Sequence, residues 1–154
     1  MTSTDLPDGC AVDTVDIARI ERLIQAMPED LLKLFSAQEI ADAGSGPGQA
    51  ASLAARFAAK EACLKLFPRE TALNTIVAMD FSVIRDQYGA PHIEVTPAAE
   101  VVLGRHLVKE IKISLTHTAT TATAVALRVS KAIKTSFGGR FLYKFLPYRR
   151  AVIL

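Results

Sequence analysis

The chain has no apolar run approaching the ~20 residues that a membrane-spanning helix needs. A membrane-embedded role is therefore not expected. It has only two cysteines, Cys10 and Cys63, and neither sits in a CxxC or metal-ligand spacing. That argues against a disulfide framework or a zinc site, and the pair reads as free thiols of a reducing cytoplasm. The N-terminal MTSTDLPDG lacks the build of a signal or transit peptide, being polar and acidic. Internal repeats are absent. So is acid from residues 131–154, where Lys131, Lys134, Arg140, Lys144, Arg149 and Arg150 face no Asp or Glu. The remaining twelve cations meet sixteen acids, so the overall +2 divides into a body of net charge −4 and a cationic tail.

Half of the 154 residues are hydrophobic, which suits one globular domain with a proper core. GCAVDTV at 9–15 reads as a buried strand interrupted by Asp13. In residues 16–27, Ile17, Ile20, Ile24 and Met27 recur at helical spacing behind Asp16, an expected N-cap, and Pro28 ends the run. Ser36 and Glu39 form a capping-box pair, and GSGPG at 44–48 is a loop. A central helix is expected from Ser52 to Pro68. Two hairpins follow: MDFSVIRD with HIEVT around QYGAP, where Gly89 supplies positive φ, and IKISLTHT with TATAVALRV. Between them, residues 97–108 begin with Pro97 at a first-turn position and read as a helix. This order predicts an α+β fold with an antiparallel sheet packed against a long central helix.

Three polar residues break their local pattern. Asp13 interrupts a strand, Glu61 lies on the stripe of Leu53, Phe57 and Leu64, and His117 sits in the β-rich SLTHT. Structural readings exist for each: a turn cap, a helix pair with Lys65, a satisfied sheet histidine. Taken together, two carboxylates near Arg56, Lys60 and Lys65 suit a divalent metal held against a polyphosphate. Mg²⁺ takes one or two carboxylates and completes its shell from water and phosphate oxygens.

These residues also carry a resemblance. GCAVD, ending at Asp13, is similar to the Gly-x-Gly-x-Asp strand of small phosphopantetheinyl transferases of the holo-acyl-carrier-protein synthase type. FAAKEACLK, from Phe57 to Lys65, is similar to their Phe-x-x-Lys-Glu-x-x-x-Lys helix. FSAQE, YGAP and ISLTHT resemble further motifs of that family in the same order. The resemblance spans residues 9–129. It implies transfer of 4′-phosphopantetheine from coenzyme A to a serine of an apo acyl carrier protein or carrier domain, releasing adenosine 3′,5′-bisphosphate. It further implies that Asp13 and Glu61 hold Mg²⁺. Arg56, Lys60, Lys65 and His117 would line the coenzyme site, Lys65 either stabilising charge or bracing Glu61. Arg19 would grip the acidic carrier protein, Asp16 is a second-shell or base candidate, and whether His117 takes the serine proton stays open. A cytoplasmic homotrimer with shared active sites is implied as well, serving a carrier protein of fatty-acid or polyketide synthesis.

Some features depart from the family. Ala11 replaces the second glycine of the strand motif, and Ala90 replaces the hairpin lysine. Val15 occupies the place where larger relatives carry the glutamate of an Asp-x-Glu pair, which favours the small type. Nothing in the family corresponds to the tail. The chain is thus read as a transferase domain, 1–130, and a basic aromatic extension, 131–154, expected to dock through Phe137, Phe141, Phe145 and Leu146. A rival reading takes the tail as a nucleic-acid-binding segment, its aromatics stacking on bases. The acidic body and the lack of a nucleic-acid-binding motif argue against it.

Overall fold

A computed structural model describes residues 9–131, 135–137 and 140–142. Strand β1 (Gly9–Asp16) runs into helix α1 (Ile17–Ala26), and after a 3-10 turn come the short helices α2 (Leu31–Leu34) and α3 (Ala37–Ala43). The central helix α4 (Gln49–Lys65) is followed by α5 (Arg69–Asn74) and the hairpin β2 (Phe81–Arg85) and β3 (Pro91–Val95). Then come α6 (Pro97–Arg105), β4 (Val108–His117) and β5 (Thr121–Ser130). Short strands β6 (Thr135–Phe137) and β7 (Arg140–Leu142) pair antiparallel within the tail. The expected docking residues of the tail fall outside the described side chains.

The main sheet is antiparallel in the order β1-β5-β4, and β2-β3 form a separate two-stranded sheet. The α+β expectation holds. Gly89 turns the β2–β3 hairpin at φ 83°, while the Asp86 carboxylate accepts from the Tyr88 and Ala90 amides at 2.8 and 2.9 Å. Asp16 does precede α1 in extended conformation, but its side chain makes no capping bond. Thr96 caps α6 instead, accepting from the Ala99 amide at 3.3 Å. Helix α4 begins three residues before Ser52, at Gln49.

What positions α4 is small side chains. Ala122, Ala124 and Ala126 alternate along β5 toward the helix, all with no exposed surface, and meet Ala54, Ala58 and Ala62, likewise fully enclosed. Without bulk on either side the helix lies close on the sheet. With α1, α3 and the β2–β3 hairpin packed around it, α4 is buried on almost every side. The expected apolar stripe is only part of its buried surface: Leu53 and Phe57 are in the core and Leu64 is half-buried against it.

Burial all round brings two cations inside, and α3 answers them. Lys60 has no exposed surface; its Nζ lies 2.7 Å from Glu39 Oε2 and 5.6 Å from the Phe35 ring centroid. Glu39, equally buried, also accepts from the Ser36 amide at 2.8 Å and the Val83 amide at 2.9 Å. Burial pushes the Lys60 ammonium below its ordinary value, while the hydrogen bond and charge of Glu39 act the other way. Breaking such a pair leaves an uncompensated buried charge. Lys60→Met is expected to cost about 3–5 kcal/mol in urea unfolding. Adding Glu39→Gln in the same chain should recover part of that loss by removing the stranded charge.

Candidate active site

Because side chains alternate along a strand, Ala11, Asp13 and Val15 of β1 share the face that packs on α4. Asp13 stands opposite Ala124, whose lack of bulk leaves room beside the carboxylate. On α4, Glu61 and Lys65 are one turn apart and lie over this strand. Lys65 Nζ donates to Asp13 Oδ1 at 2.6 Å and to the Val12 carbonyl at 3.1 Å. The brace expected between Lys65 and Glu61 is thus made to Asp13.

Glu61 is half-buried and accepts no hydrogen bond from a described residue. Burial raises its carboxyl above the ordinary carboxylate value, the negative Asp13 raises it further, and Lys65 and Arg19 pull it back. Two acids therefore share one place with less cationic compensation than they need. This is the donor set of a hard divalent ion: two carboxylate oxygens, with the rest of the shell open to water or phosphate. The residues fit Mg²⁺. Among the described residues no cluster of three His, Cys, Asp or Glu side chains offers an all-protein metal cage.

Arg19, exposed on α1, places its guanidinium 5.3 Å from the Phe57 ring centroid. These two residues enter a groove of about 290 Å³ between α1 and α4, whose walls are Ile20, Leu23, Met27 and Leu34, with Arg22 beside Arg19. A larger cavity, about 740 Å³, lies between α3 and the β2–β3 hairpin and is lined by neither Asp13 nor Glu61.

Other expected site residues are not brought to this cluster. His117 ends β4, exposed, with Nδ1 3.2 Å from the Thr118 carbonyl oxygen. Strand β5 separates β4 from β1, which puts His117 about 10 Å from β1. Arg56 is buried toward α3, donating to the Ser52 carbonyl at 3.2 Å, with Nη2 3.9 Å from Asp42 Oδ2. Its Nε and Nη2 have no hydrogen-bond acceptor among the described residues. Burial, then the neighbouring Arg85, lowers its affinity for the proton. Lys60 is enclosed against Glu39 and has no exposed surface within one chain. Asp16 falls on the sheet face opposite Asp13 by the strand's alternation. Cys63 is fully buried, and burial pushes its thiol up to about 12, which disfavours the thiolate.

Residues 9–126 match the family described as the 4′-phosphopantetheinyl transferase superfamily. The holo-[acyl-carrier-protein] synthase of Moorella thermoacetica is 36% identical over 116 residues, covering 75% of this chain and 89% of that one. That of Clavibacter michiganensis is 37% identical, covering 75% and 90%. Among solved structures, the synthase of Helicobacter pylori in complex with coenzyme A superposes with a TM-score of 0.64 at 25% identity, covering 79% of this chain and all of that one. The Mycobacterium tuberculosis acyl carrier protein synthase gives 0.59 at 29% identity, covering 80% and 97%. The chain belongs to the 4′-phosphopantetheinyl transferase superfamily and, within it, to the holo-[acyl-carrier-protein] synthase family.

The crowded carboxylates carry a testable consequence. A raised pKa means that the folded chain holds the Glu61 proton to higher pH than the unfolded chain does. Stability is therefore lost as pH rises through the carboxylate range. Without divalent ions, Glu61→Gln should melt above the parent protein at neutral pH in scanning calorimetry. The difference should vanish below the carboxylate range, where both forms are neutral.

Proposed function

We propose that this chain transfers 4′-phosphopantetheine from coenzyme A to a serine hydroxyl of an apo acyl carrier protein, in the cytoplasm and for fatty-acid synthesis. The observation that carries the reading is the juxtaposition of Asp13 and Glu61 beneath Lys65, at the edge of the Arg19–Phe57 groove. In the reaction the serine oxygen bonds to the phosphorus that bears the pantetheine arm. The bond to the other phosphate breaks, adenosine 3′,5′-bisphosphate leaves, and the serine proton passes to a base.

Asp13 and Glu61 would hold Mg²⁺ on the coenzyme pyrophosphate. Mg²⁺, when bound, neutralises charge on the phosphoryl oxygens and the leaving group. Lys65, already on Asp13, keeps that carboxylate in one orientation and adds positive charge where the anion binds. An apolar groove flanked by Arg19 and Arg22 suits an amphipathic helix with acidic residues at its border, the chemistry expected of a carrier protein.

Arg56 and His117 lie apart from the acids within one chain, and we assign them to a coenzyme site completed by a neighbouring copy in a homotrimer. The open face of the main sheet supports this, with Val12 54% and Leu127 46% exposed. We further propose that residues 1–130 form the transferase domain and that residues 131–154 add attraction for an acidic partner.

The test is mass spectrometry of an apo carrier protein incubated with coenzyme A, MgCl₂ and this chain. One added phosphopantetheine is expected, and none with Asp13→Ala, whose far-ultraviolet circular dichroism should match the parent. Full transfer by Asp13→Ala would overturn the metal assignment. Arg19→Glu is expected to raise the KM for the carrier protein far more than that for coenzyme A, and more at low salt than at high salt. An unchanged carrier KM at low salt would remove Arg19 from the docking surface.

A further inference from the structure

Arg128 has no part in the reaction as described, yet it is 5% exposed and lies on the α4-facing side of β5. Its Nη1 donates to the carbonyl oxygen of Leu66, the residue that closes α4. A helix leaves its last carbonyls without intrahelical donors and carries partial negative charge there, so a guanidinium satisfies both needs. Directly across the strand pair is Gly9. A Cβ built on Gly9 would come within 3.3 Å of Arg128 Nη2 and 3.5 Å of Cζ. That is tight, so a guanidinium already tied to a carbonyl would have to give by a few tenths of an ångström. Gly9 does not need unusual backbone angles; it needs to leave that volume to Arg128.

The end of α4 is therefore held at two points on adjacent strands. Lys65 ties it to β1 through the Val12 carbonyl and the Asp13 carboxylate, and Arg128 ties it to β5 through Leu66. Between these points and the buried Lys60 pair lies the turn that carries Glu61. Lys65 can follow small shifts of the helix, because its side chain is flexible and half exposed. Arg128 is buried and cannot.

We infer that Arg128 is a positioning residue: with Gly9 as its steric counterpart, it fixes the last turn of α4 so that Glu61 and Asp13 share one cation. This rests on the metal assignment above. Loss of Arg128 leaves both carboxylates in place but lets the helix end drift along the sheet, so the divalent site loosens while the groove for the carrier protein does not change.

The experiment measures Mn²⁺ binding by electron paramagnetic resonance, in the presence of coenzyme A, for the full chain and its variants, beside steady-state KM values. Arg128→Met is expected to weaken Mn²⁺ about tenfold, the range for residues that orient metal ligands, with the carrier KM unchanged. Arg128→Lys should recover part of the loss, since an ammonium can still donate to the Leu66 carbonyl. Gly9→Ala should weaken Mn²⁺ in the parent chain but add little in the Arg128→Met background, where the planar head is gone. If Asp13→Asn loses Mn²⁺ while Arg128→Met, or Gly9→Ala should Arg128→Met fail to fold, keeps parent affinity and loses only thermal stability, the positioning role is overturned and the metal assignment stands. Parent affinity in Asp13→Asn would overturn the metal assignment itself, and the positioning role with it.

Discussion

The buried pair of Glu39 and Lys60 fixes more than its own neighbourhood. Three donors converge on one carboxylate: the Ser36 amide at the start of α3, the Val83 amide in β2 and the Lys60 ammonium in α4. An acid without exposed surface tolerates no missing partner, because each unsatisfied contact costs the full desolvation of the group. The pair thus determines how α4 is rotated about its axis. With Lys60 turned toward α3 and β2, the next residue points about 100° further round the helix, toward β1. The residue one turn later follows it. Glu61 and Lys65 come to Asp13 because Lys60 has been claimed elsewhere.

That division of neighbouring residues explains why one short motif contains both a structural and a chemical element. Lys60 and Glu61 are adjacent in sequence, but Lys60 is compensated by Glu39 and the Phe35 ring while Glu61 is left in partial conflict with Asp13. A fold optimised for stability alone would not leave Glu61 so. Conflicts of this kind persist where the surrounding structure over-determines them, and here the over-determination is visible as α4 packed on all sides. The rigidity that confines Glu61 and the electrostatic conflict that a bound cation would relieve come from the same burial.

Local grammar revealed most of the elements. The hairpin at Gly89, the capping box at Ser36, the strand through Asp13 and the helix that carries Glu61 each announce themselves within a few residues. What stayed hidden was tertiary. Glu39 already had a full local role as the third residue of a capping box, which concealed its second role as partner of Lys60. Spacing offered a clue: the stacked cations Arg56 and Lys60 on α4 are matched by Glu39 and Asp42 at helical spacing on α3. The apolar stripe of Leu53, Phe57 and Leu64 marked only part of the buried surface, because periodicity outlines a whole seam only on a helix with one wet face. Helix α4, rich in alanine, has almost none. Motif resemblance joins Lys60 and His117 to Asp13 and Glu61, whereas within one chain Lys60 turns to Glu39 and His117 stands at the end of β4, because a motif records sequence order and not which way each side chain turns.

The main sheet binds these observations together, because its two faces have opposite character. Toward α4 it presents alanines and Asp13, which allow a buried helix to lie close. On the other face Val12, Thr14, Thr123 and Leu127 form a smooth, weakly polar surface left open among the described residues. Side chains so short and branched lose little conformational freedom when covered, so such a face is well suited to a second copy. Association there would act on the active site without touching it. Strands β1 and β5 bear Asp13 and Arg128 on one face and the open apolar surface on the other, so holding the sheet against a neighbour would also stiffen the platform on which α4 is clamped. Because Asp13 faces inward while Val12 and Leu127 face outward on the same two strands, any association on the open face would be coupled to the geometry around Asp13 through the sheet itself.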